Sequence, residues 1–99
     1  MAQQTVVWSQ KAQIKLFIIM EFYTVRNGSP AYATKLYAKF KKALKTLFKQ
    51  PEIGISTDFE NIRGLVVDEY ILFYESTKHK ITVHTLWDCR QNPEDLKIL

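Results

Sequence analysis

The chain has 99 residues, of which 46% are hydrophobic and 13% aromatic, so it can bury a core and does not have the composition of a disordered chain. Fourteen Lys and Arg against ten Asp and Glu give a net charge of +4, which favours an anionic or acidic partner. A single cysteine excludes an internal disulfide and fits a reducing compartment. We predict one domain spanning residues 1–99.

The first residues lead us to expect neither a secretory signal nor a membrane anchor. The opening sequence, MAQQTVVWSQK, has no basic stretch followed by a long apolar one. The longest apolar run, Leu16–Met20, is far shorter than the ~20 residues that cross a bilayer. We therefore expect a cytoplasmic protein that makes no contact with a membrane.

A short strand and a helix are the first predicted elements. Thr5–Trp8 combines β-branched and aromatic residues, which is typical of a strand. Ser9 is a suitable N-cap for the helix that follows. Apolar residues at helical spacing predict this helix, namely Ala12, Leu16, Ile19 and Tyr23.

A second helix is predicted directly after the sequence RNGSP. Gly28 supplies a positive-φ stop, Ser29 a cap, and Pro30 fits the first turn of the new helix. We predict this helix over residues 30–49, and the break is short enough for an antiparallel hairpin. Its apolar stripe consists of Leu36, Phe40, Ala43, Leu44 and Leu47. Its opposite side carries a lysine face formed by Lys35, Lys39, Lys42 and Lys49.

Three strands are predicted in the second half of the chain. They are Asn61–Val67, Tyr70–Glu75 and Lys80–Trp87, and hairpin-length turns between them indicate an antiparallel meander. The element order β-α-α-β-β-β predicts an α+β fold, with the two-helix hairpin packed on a small antiparallel sheet. After the last strand, Pro93 allows a short helix or an extended tail.

The lysine face has two interpretations. It could contact nucleic-acid phosphates or an acidic peptide, or it could be an ordinary solvated helix surface. No aromatic side chain lies between the lysines, so a stacking platform for single-stranded nucleic acid is not supported. The sequence leaves the role of this face open.

His84, Asp88 and Cys89 are the residues that a metal or thiol site would use. In a regular strand, positions 84 and 88 lie on one face and 89 on the other, which does not suit a shared metal. Zinc usually takes four ligands, and the chain has only one other histidine, His79. Nothing near Cys89 marks a thiol of low pKa. We therefore predict no metal and no cofactor, and we interpret Cys89 as a packing residue.

Arg63 and Arg90 are the strongest functional candidates. An arginine in a strand must reach solvent or find a carboxylate. Arg90 could pair with a nearby acid and fix the C-terminal segment. The acids close to it in sequence are Asp88, Glu94 and Asp95. Alternatively, a planar guanidinium suits a phosphate or a charged transition state, and spacing alone does not decide between these roles.

Taken together, these segments resemble the RelE/ParE superfamily of bacterial toxins. The resemblance covers about residues 5–96, and the stretches that carry it are VVWS, LFKQPEIG, IRGLVVDEYILFYE and ITVHTLWDCRQNP. It implies the α+β fold described above. It also implies the toxin of a type II toxin–antitoxin module of the plasmid-stabilisation type, whose inhibition of growth is neutralised by a cognate antitoxin.

The RelE-like members of this superfamily cut mRNA on the ribosome, and their motif is only partly present here. Ile71 and Leu96 stand where those enzymes have an arginine and a tyrosine. The resemblance leaves Arg63, Arg90 and His84 as the catalytic candidates if this chain is a nuclease. RNA cleavage also needs a base and an acid at the scissile phosphate, and most of those positions are apolar here.

The ParE-like members, which act on DNA gyrase, match more closely. Their final strand reads Leu-His-Gln-Arg-Met-Asp-Pro, and residues 87–93 here read Trp-Asp-Cys-Arg-Gln-Asn-Pro. The arginine and the proline coincide. Inhibition of gyrase is a binding activity, so it needs no acid–base pair in the toxin.

We therefore expect a ParE-like toxin that binds DNA gyrase and is not itself an enzyme. An mRNA endonuclease that acts with the ribosome and uses Arg63 and Arg90 is the alternative. A non-toxic protein that binds only an antitoxin is a further one. In each case, we expect an amphipathic segment of the antitoxin to cover apolar surface on the helices or the sheet.

Overall fold

Five strands and two helices make up the computed structural model, which describes residues 4–99. The strands are β1 (Thr5–Trp8), β2 (Ile55–Ser56), β3 (Ile62–Val67), β4 (Tyr70–Ser76) and β5 (Lys80–Asp88). The helices are α1 (Gln10–Asn27) and α2 (Ala31–Thr46), and a short 3-10 helix spans Pro93–Asp95. Residues 1–3 lie outside the described part. The predictions of one domain over residues 1–99 and of no secretory signal therefore stay predictions.

The strands form one sheet in the order β1-β5-β4-β3-β2. Strands β2 to β5 are antiparallel neighbours, as the predicted meander requires, whereas β1 lies parallel to β5 with Thr5 opposite Lys80. The chain leaves β1 through the helices and re-enters the sheet at the opposite edge, so β5 is the strand that returns beside β1. The predicted α+β fold is confirmed, and the two-residue β2 is an additional edge strand.

Ser9 and Gly28 delimit α1 as predicted, whereas α2 begins at Ala31, so that Pro30 occupies its N-cap position and not its first turn. The Ser9 hydroxyl accepts a hydrogen bond from the Ala12 amide at 3.1 Å, and Gly28 ends α1 in a left-handed conformation at φ 66°. After the break, the Ser29 hydroxyl accepts a hydrogen bond from the Ala31 amide at 3.2 Å. α1 and α2 then pack against each other.

Helix α2 is shorter than its predicted range of residues 30–49. The amides of Leu47, Phe48 and Lys49 bond to carbonyls three residues earlier, so the last turn tightens and the regular helix stops at Thr46. Neither α1 nor α2, the two α-helices of the described residues, has the length and apolar character needed to cross a bilayer.

The main core lies between the two helices and the sheet. The predicted apolar stripe of α2 faces it, and four of the stripe's residues are at most 1% exposed, namely Leu36, Phe40, Leu44 and Leu47. Alternate residues of β4 and β5 meet this stripe, namely Tyr70, Leu72, Tyr74, Ile81, Val83 and Leu86. These side chains are buried between the helices and the sheet, and their packing fixes the positions of α1 and of the end of β5. The candidate site lies between these two elements.

The C-terminal segment covers part of the other face of the sheet. A second buried cluster lies there and consists of Ile62, Phe73 and Trp87. Leu96 and Ile98 pack against it after the 3-10 helix has turned the chain. The residues after the last strand therefore combine the predicted short helix with a tail that closes over the sheet.

Candidate functional site

Arg90 lies just beyond β5, where an aspartate holds its guanidinium. Nε donates to Oδ1 of Asp88 and Nη2 donates to Oδ2, both at 2.9 Å, and the Arg90 amide donates to Oδ1 at 2.9 Å. This two-pronged arrangement fixes the plane of the guanidinium. Hydrogen bonds from Arg90 hold the pKa of Asp88 below its usual value, and the same pairing raises the pKa of Arg90. Both groups are therefore charged at neutral pH.

A second acid and two tyrosines complete what we call the Arg90 cluster. Glu69, in the turn between β3 and β4, lies 2.9 Å from Nη1 of Arg90 through its Oε2. Nη2 also donates to the hydroxyls of Tyr23 at 3.1 Å and Tyr70 at 3.3 Å, and these two hydroxyls are 3.1 Å apart. Burial, and then the hydrogen bond with Tyr23, raises the pKa of Tyr70. The cluster thus consists of Arg90, Asp88, Glu69, Tyr23 and Tyr70.

The Arg90 cluster joins α1, the β3–β4 turn and the end of β5. Of the three acids predicted as partners for Arg90, only Asp88 pairs with it among residues 4–99. Glu69 was not foreseen. It reaches Arg90 because the β3–β4 turn is held beside the end of β5, where the Cys89 amide donates to the Glu69 carbonyl at 2.8 Å.

Arg63 lies in β3, near the opposite end of β4. Its Nη1 donates to the Gly54 carbonyl at 3.0 Å. Tyr74 is the residue opposite Arg63 on β4. Its hydroxyl accepts a hydrogen bond from the Gly54 amide at 3.1 Å and donates one to the Pro51 carbonyl at 2.6 Å. A Cβ atom on Gly54 would lie 2.6 Å from the Tyr74 hydroxyl, so this contact requires glycine. Arg63 and Tyr74 thereby hold the loop that leads into β2.

His84 lies on the face of the sheet that is turned away from the helices. A β-bulge opposite the step from Phe73 to Tyr74 leaves His84 as an extra residue of β5. Its Nε2 is 3.0 Å from Oε1 of Glu75. The bulge shifts the alternation of β5 by one residue, so His84 and Asp88 do not share a face. The prediction from a regular strand is wrong on this point.

The three nuclease candidates therefore occupy three places. Arg63 lies opposite Tyr74 in the sheet, and Arg90 bonds to Tyr70. These two tyrosines are about 14 Å apart along β4. His84 is on the other face, and each of the three side chains bonds to a neighbouring protein group. The structure does not bring them together in one site.

Cys89 is exposed, so the interpretation of this residue as a packing residue is wrong. β5 ends at Asp88, and the chain turns there, which places the thiol outside both apolar clusters. Across residues 4–99, no group of three or more His, Cys, Asp or Glu side chains is arranged to hold a metal ion.

Helix α1 is apolar on its solvent side as well as on its buried side. We call the outer surface the α1 stripe, which consists of Ile14, Phe17, Ile18, Phe22 and Val25. These side chains are between 53% and 74% exposed. Only Glu21 interrupts this surface with a charge, and exposed apolar area of this extent marks a binding surface on a globular protein. The sequence did not lead us to predict this surface, although its residues recur every one to four positions on the side of α1 opposite the buried residues Ala12 and Tyr23.

A groove of about 510 Å³ opens beside the α1 stripe, between α1 and the end of β5. Its apolar lining comes from Ile18, Ile19, Phe22 and Leu86. Its cationic lining comes from Lys15, Arg26 and Arg90. Burial lowers the pKa of Lys15, whose Nζ donates to the Leu86 carbonyl at 3.3 Å. The groove therefore combines an apolar interior with positive groups, which suits an apolar side chain next to a carboxylate.

Similarity to known proteins extends over most of the chain. A family model described as "ParE toxin of type II toxin-antitoxin system, parDE" matches residues 6–93. Among solved structures, the chain is similar to the chromosomal ParDE TA system from P. aeruginosa, with a TM-score of 0.68 and 19% identity over 85% of this chain and 94% of that chain. This second similarity supports the fold. No curated protein matches the sequence. Because the family model covers nearly all of the chain, the protein belongs to the ParE toxin family of type II toxin–antitoxin systems.

Proposed function

We propose that this chain is the toxin of a type II toxin–antitoxin module, that it stops growth by binding DNA gyrase, and that a cognate antitoxin neutralises it. The observation that carries the proposal is the family match over residues 6–93. The closer resemblance of residues 87–93 to the gyrase-directed members, with Arg90 and Pro93 in place, supports the choice of target.

The arrangement of the candidate residues supports action by binding. Cleavage of RNA needs a base at the ribose hydroxyl and an acid at the leaving oxygen, both close to one phosphate. Arg63, Arg90 and His84 lie in three separate places and bond to protein groups. A toxin that acts by docking onto an enzyme needs only a surface, and the Arg90 cluster holds one such surface rigid.

The α1 stripe and its groove form the antitoxin site in this proposal. An amphipathic segment could lay apolar residues along the stripe, as helices do in hydrophobic grooves. Acidic residues on the same segment would meet Lys15 and Arg26 at the groove, and opposite charges across an interface favour association and fix the register. Arg90 contributes less net charge there, because Asp88 and Glu69 already pair with it.

Induction of this chain in bacterial cells, alone and together with the reading frame next to its gene, tests the proposal. We expect growth to stop in the first case, with gyrase-dependent double-strand breaks in DNA. Growth should continue in the second case, and the two proteins should purify as one complex. Two results would contradict the proposal. Transcripts cut at ribosome-occupied codons would indicate an endonuclease, and normal growth without the second protein would indicate a non-toxic one.

A further inference from the structure

The outer surface of α2 concentrates the positive charge of this protein. Residues 22–51 contain seven Lys and Arg and no Asp or Glu. Since the whole chain carries +4, the rest of it carries −3. All six lysines of this stretch are exposed. Three lysines of the face, Lys35, Lys39 and Lys42, lie on α2 opposite its buried stripe, and Lys49 follows just beyond the end of the helix.

Little of this charge is neutralised within the molecule. Lys39 pairs with Asp68 at 3.0 Å, and both side chains remain well exposed. Within the part of the chain that the structure describes, no carboxylate lies within 4.0 Å of Lys35, Lys42 or Lys49. Three of the four lysines of the face are thus available to an outside partner.

The lysines also work against the helix that carries them. Like charges three or four positions apart on a helix repel each other, and the pairs Lys35–Lys39, Lys39–Lys42 and Lys41–Lys45 of α2 have this spacing. A helix surface that serves only solubility usually mixes both signs of charge, which removes this repulsion. The absence of any acid from α2 therefore points to a polyanionic partner.

The surroundings of the lysines distinguish among polyanions. No aromatic ring lies between them on this face, so bases of a single strand have nothing on which to stack. The apolar side of α2 is buried in the core, so the helix cannot insert into a membrane surface. Between Lys35 and Lys42 the face also offers no bulky apolar anchor of the kind that dominates protein–protein interfaces, since the exposed Tyr32 and Phe48 lie beyond its two ends. Contacts to a phosphate backbone need only positive charge.

We infer that the lysine face binds the sugar–phosphate backbone of duplex nucleic acid without reading its sequence. The helical part of the face, from Lys35 to Lys42, extends over about 10 Å, which spans several phosphates of a duplex. This inference does not rest on the proposed target of the toxin. The lysine face and the α1 stripe belong to different helices, so loss of one activity can be measured while the other persists.

Binding of a fluorescently labelled DNA duplex of about 20 base pairs, followed by anisotropy over a range of salt concentrations, tests the inference. We expect the logarithm of the affinity to fall with the logarithm of the salt concentration, with a slope of about −3 for three neutralised phosphates. The double variant Lys35→Glu/Lys42→Glu should bind at least about tenfold more weakly and show a shallower slope. A duplex RNA probe of the same length should behave in the same way.

The matched control is Lys78→Glu/Lys80→Glu, which changes the net charge by the same amount at exposed positions around the β4–β5 turn. It should leave the affinity within about threefold of the unchanged protein. An equal loss in both double variants would mean that net charge alone attracts DNA, and no loss in either would exclude the lysine face. If polyglutamate binds to the protein as tightly as the duplex does, the partner of the lysine face is an acidic protein. Each of these three results would overturn the inference.

Folding of both double variants is checked by circular dichroism and thermal unfolding. Should the glutamates unfold α2, Lys35→Gln/Lys42→Gln supplies the same test, because glutamine removes the charge and favours a helix about as well as lysine. The neutral variant should contact two phosphates fewer, so its salt slope should become shallower, from about −3 to about −1. An unchanged slope would equally contradict the inference.

Discussion

The guanidinium of Arg90 bonds to side chains from three parts of the chain: the end of β5, the β3–β4 turn and α1. It is nevertheless about half exposed, at 47%. Exposed ion pairs each contribute only about 0–1 kcal/mol to folding stability, because solvent screens them. The effect of these bonds is therefore mainly to orient the guanidinium. An oriented and exposed arginine is a typical anchor at the centre of an interface.

The variant Arg90→Ala should weaken growth arrest, because it removes this anchor. We expect its unfolding free energy to fall by only about 1 kcal/mol, since the lost pairs are exposed. Urea unfolding and growth after induction measure the two effects separately.

Asp88→Asn is the control for Arg90→Ala, because it disrupts the same ion pair and keeps the guanidinium. It should retain most of the growth arrest at a similar cost in stability. Undiminished growth arrest by a folded Arg90→Ala variant would show that Arg90 does not contact the target.

Distance along the sequence decided which contacts of the individual residues could be predicted. Asp88 is two positions from Arg90, so their pairing was among the predicted alternatives. Glu69 and the two tyrosines of the Arg90 cluster come from other elements, and only the packed fold brings them to the guanidinium. The bulge at His84 was also missed, because alternation along a strand assumes that the ladder is regular.

Helix α1 has more apolar surface than the core uses. Its buried side packs on the sheet through residues such as Ala12 and Tyr23, and its outer side leaves the α1 stripe in water. Exposed apolar surface of this size favours association with another molecule. A partner that covers the stripe would gain roughly 25 cal/mol for each Å² of apolar surface removed from water.

The double variant Phe17→Gln/Phe22→Gln should lose the antitoxin without losing the fold. Burying a phenylalanine contributes about 1.5–3 kcal/mol, so the affinity for the antitoxin should fall at least about 100-fold. Both side chains are more than half exposed in this structure, and glutamine suits a helix, so the melting temperature should change little. Calorimetric titration with the purified antitoxin measures the affinity, and growth after co-expression measures the rescue.

Ile55→Thr/Val66→Thr provides the comparison, because it makes an equally exposed apolar pair polar at the far side of the sheet. Cells that carry this variant should still be rescued by the antitoxin, whereas those with the α1 variant should not. Rescue of both would place the antitoxin on a surface other than the α1 stripe.

Local rules predicted the elements well where a single residue sets a boundary. Ser9 and Gly28 delimit α1 as expected, because capping depends on neighbours within a few positions. The end of α2 was missed by three residues, since only the hydrogen bonds show that its last turn tightens. β2 has two residues and no periodicity of its own, and it exists because the adjacent loop is held by Arg63 and Tyr74.

At the scale of the whole molecule, the fold keeps its surfaces separate. The sheet face away from the helices is partly closed by the C-terminal segment. The helical layer presents apolar side chains on α1 and lysines on α2. In our proposals, the first surface takes the antitoxin and the second takes duplex nucleic acid. The fold class could be predicted from the order of the elements and the family from the resemblance of several sequence segments, whereas the α1 stripe became clear only from the exposure of each side chain.

We propose that this protein acts by docking onto DNA gyrase. A supercoiling reaction with purified gyrase, relaxed plasmid and purified toxin is the test of this proposal. We expect supercoiling to stop when the toxin reaches roughly the concentration of gyrase, because a binding inhibitor works by occupancy. Prior addition of the antitoxin should restore the reaction. Complete supercoiling in a large excess of folded toxin would show that the protein does not act on gyrase.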